Sequence, residues 1–328
     1  MLVQLRSATV AVHVPARGGS GKETDGLESV VVAIASLGRP SLAETVRSLA
    51  AVVPGEGRCL SVLVADDSRD GAATQLVAGL ELPGLEVVCI PVAAGNISAA
   101  RNALLDGVKS DWLVFIDDDE WVEPDWLERL FDCQREYQAD VVIGPVFPAY
   151  PSHTPDWLVR ANALYADWGH RGKRLQTGRG GNTLVHMPFF RKHGLRFDPA
   201  LGQSGGEDTA FFAEAAHLGA VIVATDDAIV HEVVPDTRLN PRYILQRALR
   251  SGQSYGISRK AKKSGPLWSL LFGANAAAKC VIAAVLATIY RPLDRGRSFR
   301  MQQKFALNLG KLRAVFNLPL AQLYSRPD

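Results

Sequence analysis

The clearest pattern along the chain is an alternation of short apolar runs with segments of helical periodicity. The runs are rich in β-branched residues and bounded by polar ones, which is typical of buried strands. Strands are predicted at 29–36, 61–65, 85–90, 112–116 and 140–147, and helices at 41–53, 96–108 and 123–137. Strands that alternate with helices predict an α/β fold, a three-layer sandwich around a mostly parallel sheet.

Beyond residue 240 the pattern changes, and a C-terminal helical extension is predicted. Pro266–Tyr290 carries a single charge, Lys279, and is long enough to cross a bilayer. Insertion would place Lys279 near the midplane, at a cost of about 3 kcal/mol. We expect this stretch to lie in the plane of a membrane surface. A buried helical hairpin, an oligomer interface and a single transmembrane span are the alternatives.

These patterns divide the chain into three parts. Residues 1–27 are Gly-rich and polar and are expected to form a flexible tail, residues 28–240 a catalytic domain, and residues 241–328 a basic helical region. Of the 328 residues 47% are hydrophobic and 21% charged, which is typical of a globular protein. The four cysteines have no metal-site or disulfide spacing, and a signal-peptide pattern is not evident, so a cytoplasmic location is expected.

Charge is distributed unevenly along the chain. Residues 242–328 contain 16 Lys and Arg but only two acids, whereas residues 1–241 contain 20 basic and 32 acidic residues. A basic segment after an acidic body indicates contact with an anionic surface. We expect peripheral binding to the cytoplasmic face of the inner or plasma membrane rather than to nucleic acid, since no nucleic-acid-binding module accompanies the basic residues.

Four consecutive carboxylates follow the strand predicted at 112–116. Asp117, Asp118, Asp119 and Glu120 would repel one another, which raises their pKa values unless a cation lies among them. Oxygen ligands after a strand suit Mg²⁺ or Mn²⁺, which usually also bind substrate phosphates. The alternative is a solvated acidic turn.

Two other predicted strands end in polar residues. Ser36 ends the first strand, and Asp66 and Asp67 end the second. Ligands of open α/β sheets bind beyond the carboxyl ends of the strands, where these side chains meet. A carboxylate there could accept a hydrogen bond from a base or a ribose hydroxyl, but capping of the next helix is an equal alternative.

Two further candidates lie later in the chain. Asp208 follows Gly205, Gly206 and Glu207 at the start of a predicted helix, where it is either a general base or an acid that meets the helix dipole. His231 follows an apolar strand and is either structural or a metal ligand.

Seven segments in a fixed order resemble family 2 glycosyltransferases of the GT-A fold. They are VVVAIASLGRPSLAETVRSL, VLVADDSRDG, GNISAARNALL, FIDDDEWVEPDWLERL, GGNTLVHMPFF, GGEDTAFF and HEVVP, between about Ser29 and Pro235. The first and fourth segments resemble the subgroup of bacterial succinoglycan and exopolysaccharide assembly. The resemblance implies an inverting, metal-dependent transfer from a nucleotide sugar, with UDP as the expected nucleotide.

The resemblance also implies roles for donor-binding residues. Ser36 and Asp67 would hold the uracil and ribose, and Arg101 would support the nucleotide pocket. Asp117 and Asp118 would bind the donor, with Asp118 facing the ribose or the sugar.

The same resemblance implies the metal and catalytic residues. Asp117 and Asp119 would form a DXD motif, with Asp119 as the direct ligand of Mg²⁺ or Mn²⁺. His231 would be a further metal ligand, and Asp208 the base that deprotonates the acceptor.

The expected acceptor is a saccharide linked to a polyprenyl diphosphate. Two rival functions stay open at this point. One is a metal-dependent nucleotidyltransferase, which also uses paired aspartates, and the other is a catalytically silent membrane-bound partner of a polysaccharide synthase.

Overall fold

The structure is a computed structural model, and it describes residues 12–14, 27–166, 168–203, 205–262 and 265–320. Most of the predicted tail of residues 1–27 therefore lies outside the described residues. Within that tail, Val12–Val14 form a strand, which the sequence analysis did not predict.

The predicted alternation of strands and helices is present between residues 28 and 137, and additional short strands occur along the chain. The strands are β1 (Val12–Val14), β2 (Glu28–Ser36), β3 (Arg58–Asp66), β4 (Glu86–Pro91), β5 (Trp112–Phe115), β6 (Glu120–Val122), β7 (Val141–Ile143), β8 (Val146–Ala149), β9 (Thr183–His186), β10 (Ile222–Ala224) and β11 (Val230–Val233). The helices are α1 (Ser41–Ala50), α2 (Ala72–Ala78), α3 (Ile97–Gly107), α4 (Trp126–Tyr137), α5 (Asp156–Ala161), α6 (Met187–Lys192), α7 (Glu207–His217), α8 (Pro241–Lys262), α9 (Pro266–Tyr290) and α10 (Arg295–Val315). Short 3-10 turns lie at Pro199–Leu201 and Asp236–Arg238.

The described residues form two compact units. Unit 1 contains those up to Val146 and those of 168–232, and unit 2 contains Phe147–Ala166 and those of 233–320. The sequence placed a boundary near residue 240 and did not anticipate that 147–166 would join the C-terminal helices. The physical reason is apolar packing, because Leu158 of α5 packs with Ile244 of α8 and Phe299 of α10.

The main sheet of unit 1 is mixed and has the order β1-β4-β3-β2-β5-β9-β7-β10, while β6 and β11 pair in a separate small sheet. β4, β3, β2 and β5 run parallel, and β7 and β10 also pair in parallel. β9 is antiparallel to both β5 and β7, and β1 is antiparallel to β4. The sheet is thus mostly parallel, as predicted. The antiparallel strands are β1 and β9, which lie outside the predicted alternation of strands and helices.

Helices cover both faces of this sheet, as predicted. Side chains of neighbouring residues on β5 point to opposite faces. Trp112 meets Phe131 of α4 with ring centroids 5.2 Å apart, whereas Leu113 belongs to the buried cluster that contains Leu104 of α3. The three-layer α/β architecture follows from this alternation.

One predicted strand is broken in the structure. Residues 140–147 were predicted as a single strand but form β7 and β8, which are separated by Gly144 and Pro145. Proline cannot donate a backbone hydrogen bond within a sheet, so the strand ends there. The sequence analysis also missed α2, whose seven residues are too few to show a clear helical period.

The helices of unit 2 pack through small residues. A side chain at Gly310 of α10 would clash with the Leu249 carbonyl of α8. α9 buries Ala276, Cys280 and Ala283 and leaves most of its large aliphatic side chains exposed. By length and composition α9 could cross a membrane, and only 17% of its most apolar stretch is buried.

Candidate active site

The carboxyl ends of three neighbouring strands meet at one edge of the main sheet of unit 1. β2 lies between β3 and β5 and ends with Ser36 opposite Asp66. Asp117–Asp119 lie just beyond β5, and β9 begins at the same edge with Thr183, because it runs antiparallel to β5. The edge therefore assembles the strand-end residues that the sequence singled out.

Asp118 connects the end of β5 to the end of β2. The Ser36 hydroxyl donates a 2.7 Å hydrogen bond to one of its oxygens, and the Arg39 guanidinium lies 2.7 Å from the other. Burial raises the pKa of Asp118, and Arg39 opposes this rise. With its side chain only 1% exposed, Asp118 is engaged in an internal contact, and its predicted contact with ribose or sugar stays a prediction.

Asp119 lies in a strongly negative environment. Burial raises its pKa to about 6, and the carboxylates of Asp117 and Glu232 add to the rise. Arg39 lies 3.0 Å from Asp119 and lowers its pKa without cancelling the other effects. Additional positive charge beside Asp119 would therefore stabilise its ionised form.

Asp117 belongs to a row of alternating charges. Arg101 and Arg179 lie 3.3 and 3.4 Å from its two carboxylate oxygens. Arg101 also binds Glu207 at 2.6 Å, and Arg179 binds Glu120 at 3.0 Å. Asp117 is the most exposed of the five side chains, at 38%, so it is the member that a ligand can reach.

Glu120 and Glu232 come together through the antiparallel pair β6 and β11, which places them opposite each other. Glu120 is fully buried and accepts a 2.9 Å hydrogen bond from the Asp117 backbone N–H. Burial raises its pKa well above the ordinary value, and Asp117 adds to the rise. Glu232 raises the pKa of both Glu120 and Asp119. We therefore count it with Asp117, Asp118, Asp119 and Glu120, and call these five residues the acidic group.

A cavity of about 260 Å³ lies between the end of β2 and the start of α3. Ser36, Arg39, Asp67 and Asn96 are among its lining residues. Pockets for drug-sized ligands span about 300–1,000 Å³, so this one suits a single flat base better than a whole nucleotide sugar. Because Arg39 both lines the cavity and contacts Asp119, the cavity adjoins the acidic group.

The two acids at the end of β3 bind neighbouring backbone. Asp67 accepts hydrogen bonds of 2.6, 2.9 and 2.8 Å from the N–H groups of residues 94–96, which orders the loop before α3. Burial would raise the pKa of Asp66, but hydrogen bonds from Ser68 and Thr74 outweigh it and lower the pKa. The capping alternative named Asp67 or Ser68, and it is Ser68 whose hydroxyl accepts a hydrogen bond from the Ala72 N–H at the start of α2. Asp66 accepts one from the Thr74 N–H of the same helix, whereas Asp67 orders a loop and lines the cavity.

Asp208 lies in the first turn of α7, after two glycines in left-handed conformation. Gly205 and Gly206 have φ values of 78° and 97°, which residues with side chains rarely adopt. The Asp208 carboxylate accepts hydrogen bonds of 2.6 Å from the Thr209 backbone N–H and 3.3 Å from that of Gly180. The Gly180 contact connects Asp208 to the segment before β9, at the same edge of the sheet.

His231 points away from the acidic group. Its ring stacks on Trp121 with centroids 5.3 Å apart, and its Nε2 lies 3.2 Å from Glu123. Successive side chains of a strand point to opposite sides, so Glu232 rather than His231 lies on the side of Glu120. The metal-ligand role of His231 stays a prediction.

The acidic group could bind a divalent cation whose coordination shell is completed by oxygen atoms of the substrate. Among the described residues, no three His, Cys, Asp or Glu side chains are arranged to hold a metal by themselves. Mg²⁺, however, is commonly held by one or two carboxylates together with water and substrate phosphates. Asp117 and Asp119 supply two carboxylates, and the pKa of Asp119 is raised first by burial and then by the neighbouring carboxylates of Asp117 and Glu232.

Sequence reasoning missed three charged residues of this edge, namely Arg39, Arg179 and Glu232. One signal was available for Arg179, because buried acids need buried cations and this residue stands in a Gly-rich segment directly before β9. For Glu232 no comparable signal exists, since its place depends on the pairing of β11 with β6.

Comparison with known proteins gives one consistent family. The model of glycosyl transferase family 2 matches residues 29–200. The chain is 37% identical over 260 residues to the succinoglycan biosynthesis protein ExoM of Rhizobium meliloti (strain 1021), which covers 78% of this chain and 84% of that protein. It is 30% identical over 191 residues to ExoO of the same organism, covering 53% of this chain and 52% of that protein.

Among solved structures, the crystal structure of S. aureus TarS 1-349 shares the fold. Its TM-score is 0.50 at 14% sequence identity, over 89% of this chain and 91% of that chain. The predicted GT-A-like α/β fold is thereby confirmed.

Proposed function

The chain belongs to glycosyl transferase family 2 and is a glycosyltransferase, and from this premise we propose that it is an inverting, metal-dependent enzyme that uses a UDP-sugar. The acceptor is a saccharide on a polyprenyl diphosphate, and the product belongs to an exopolysaccharide or surface glycan. ExoM and ExoO, named for succinoglycan biosynthesis, support this product class. The nucleotidyltransferase alternative is not supported by this family membership.

One observation carries the proposal, namely that a base-sized cavity adjoins the acidic group through Arg39. A nucleotide sugar has the matching order of parts, with a flat base at one end, a diphosphate in the middle and a sugar at the other. Ser36 and Asp67 would contact the base and ribose within the cavity. Arg101 supports this arrangement indirectly, because it holds Asp117 and Glu207 in place.

Asp117 and Asp119 would hold Mg²⁺ or Mn²⁺, which would offset the charge that develops on the departing UDP. The two carboxylates differ in the charges that surround them. Arg101 and Arg179 fix Asp117, whereas Asp119 is left with a surplus of neighbouring negative charge.

Asp208 would act as the base. Its carboxylate takes the proton of an acceptor hydroxyl while that oxygen forms a bond to the anomeric carbon from the face opposite UDP. The bond from the anomeric carbon to the diphosphate oxygen breaks, and the diphosphate keeps the electron pair. The hydrogen bonds from Gly180 and Thr209 orient the carboxylate for this step.

The test is a screen of nucleotide sugars for thermal stabilisation and for hydrolysis, each with Mg²⁺, with Mn²⁺ and with chelator. A ligand that binds only the folded state raises its stability. We expect UDP-sugars to stabilise the protein only with a divalent cation, and the released or transferred sugar to have inverted configuration by NMR. Equal UDP binding with chelator would contradict the metal role, and no turnover of any donor would favour the silent-partner alternative.

We further propose that unit 2 attaches the enzyme to the cytoplasmic face of the membrane through α9. Leu267, Leu270, Leu271 and Ile282 of this helix are each more than half exposed, at 67%, 68%, 62% and 59%. Water disfavours such a surface, and lipid at the headgroup boundary would cover it. The 16 basic residues of 242–328 favour an anionic leaflet.

Flotation with anionic vesicles tests the attachment. We expect the full-length protein to float even at high salt, because an inserted apolar face is not screened by ions. Leu270→Gln combined with Ile282→Gln should abolish flotation, whereas Arg242→Gln, on α8, should not. A protein that never floats would indicate that α9 is covered by another protein surface.

A further inference from the structure

Unit 2 contains a cavity of its own, apart from the donor cavity of unit 1. Its volume is about 240 Å³, and it lies among α8, α10 and the segment that follows α5. α8 contributes Ile244, Arg247 and Ser251, which share one helix face because they are three and four residues apart. α10 contributes Lys304 and Leu307, which are also neighbours on one face.

The cavity is lined by positively charged residues on one part of its wall and by apolar residues on another. Arg247 and Lys304 are its two charged residues, and no carboxylate is among the lining residues that the structure describes. Leu164, Ile244 and Leu307 form the apolar part. Two cations beside one cavity repel each other, and a bound anion would relieve that repulsion.

Of the three described acids of unit 2, Asp156 is not among the lining residues of the cavity, and the other two have partners elsewhere. Asp236 lies 2.9 Å from His153 Nε2, and Asp294 accepts a hydrogen bond from the Arg297 N–H at the start of α10. Neither Arg247 nor Lys304 has a carboxylate partner among the described residues. The positive charge of the cavity is therefore available to a ligand.

The size of the cavity limits what the ligand can be. At about 240 Å³ it falls below the range of about 300–1,000 Å³ that holds drug-sized molecules. It has room for a phosphate or diphosphate group and the first few carbons of a chain. An amphiphile whose tail continues outside the cavity meets both conditions.

We propose that this cavity binds the phosphate or diphosphate headgroup of an amphiphile, with Arg247 and Lys304 as the anion-binding residues and the apolar wall against the start of the hydrocarbon chain. Arginine and lysine are the residues that bind phosphate oxygens in proteins through charge-assisted hydrogen bonds. Identifying this amphiphile with the carrier of the sugar acceptor rests on the proposed function, but the ligand class itself does not.

The experiment is calorimetric titration of the full-length protein with three probes, with excess UDP and Mg²⁺ present to occupy the donor site. Farnesyl diphosphate carries both the anion and the chain, pyrophosphate carries only the anion, and farnesol carries only the chain. We expect farnesyl diphosphate to bind more tightly than either of the others. Equal affinity for pyrophosphate, or for farnesol, would overturn the assignment to an amphiphile.

Variants locate the binding. Arg247→Gln with Lys304→Gln should weaken farnesyl diphosphate binding about tenfold or more, since hydrogen bonds to charged groups are the stronger kind. The matched control, Arg242→Gln with Arg259→Gln, removes the same charge from α8 outside the cavity and should leave the affinity unchanged. Equal losses in both double variants would mean non-specific attraction and would overturn the proposal.

A third variant keeps the charges and fills the space. Ser251 is exposed on α8 at the border of the cavity, so Ser251→Trp should fold normally and obstruct the site. We expect its melting temperature to match the wild type and its farnesyl diphosphate affinity to fall. Undiminished affinity in this variant would place the ligand elsewhere.

Failure of the cavity proposal can be distinguished from failure of the proposed function. Donor hydrolysis without added acceptor reports on unit 1 and should be the same in all these variants. Normal donor hydrolysis with no farnesyl diphosphate binding would overturn the cavity proposal alone. Specific farnesyl diphosphate binding in a protein that hydrolyses no nucleotide sugar would overturn the proposed function alone.

Discussion

The two units differ in what they bury and what they expose: unit 1 buries charged side chains, and unit 2 exposes large apolar ones on α9. At the sheet edge of unit 1, acids and arginines are buried side by side, as in the row from Glu207 through Arg101 to Asp117. In unit 2, α10 meets α8 closely at Gly310 and α9 buries small residues such as Ala283, while several large apolar side chains of α9 face outward.

This contrast shows how differently the units depend on their surroundings. A buried ion must have a partner within the protein, so the charges of unit 1 are organised by one another. The exposed apolar side chains of α9 are not covered by other residues of unit 2, so we expect a surface outside the unit to cover them. Four predictions test this contrast, beginning with the largest expected effect.

Asp208→Asn should reduce the rate of sugar transfer by about 10²–10⁴-fold, because the amide cannot take the acceptor proton. UDP affinity should be nearly unchanged, since Asp208 lines no part of the donor cavity. The control is Glu214→Gln, an exposed acid on the same helix, which should transfer at the normal rate. Near-normal turnover of Asp208→Asn would show that the base lies elsewhere.

Arg101→Gln should lower the free energy of unfolding by about 3–5 kcal/mol, because it leaves Glu207 buried without its partner. The control is Arg196→Gln, which breaks an ion pair with Asp106 at the surface and should cost only about 0–1 kcal/mol. The side chains of the first pair are 8% and 9% exposed, and those of the second 48% and 62%. Urea unfolding measures both, and equal losses would contradict the importance of burial.

Asp119→Asn should stabilise the protein at pH 7 in chelator, by roughly 1–3 kcal/mol. The folded protein binds the Asp119 proton more tightly than the unfolded chain does, because the pKa rises from 3.8 to about 6 on folding. Wild-type stability should therefore fall as the pH rises from about 4 to about 6.

The asparagine variant should lack this fall, so its advantage should vanish at about pH 4. Thermal unfolding at the two pH values measures the difference. Asp70→Asn, at an exposed position, is the control and should change stability little at either pH. An advantage of Asp119→Asn that does not depend on pH would contradict the electrostatic explanation.

Gly310→Ala should destabilise unit 2 by about 1–3 kcal/mol, since the new methyl group would clash with the Leu249 carbonyl of α8. Gly273→Ala is the matched control, because its new methyl group would lie no nearer than 3.7 Å to Val315. That change should stabilise by up to about 1 kcal/mol through helix propensity. Similar effects of the two substitutions on urea unfolding would show that the helices of unit 2 do not pack closely.

Much of unit 1 could be predicted from local sequence. Apolar runs such as 29–36 and 112–116 became β2 and β5, and the helical segments that follow became α1 and α4. The short helix α2 and the break at Gly144 and Pro145 were missed. Strands β1, β6, β9, β10 and β11 were also not delimited.

The site was predicted in part. The polar residues at the ends of β2, β3 and β5 were placed together correctly because parallel strands end at a common edge. The partners of these acids were not found, since Arg39, Arg179 and Glu232 approach from separate segments. The direction of His231 likewise depends on which strand β11 joins.

The sequence by itself determined the fold class, the family and the residue types at the strand ends, because periodicity and motif order are local properties of the chain. Only the tertiary structure decided which charges neutralise one another. The energy of an ion pair depends on distance and burial, and both arise when segments distant in sequence pack together. Asp117–Asp119 could thus be recognised as a candidate site from sequence, but the burial and the neighbouring carboxylates that raise the pKa of Asp119 arise only in the folded unit.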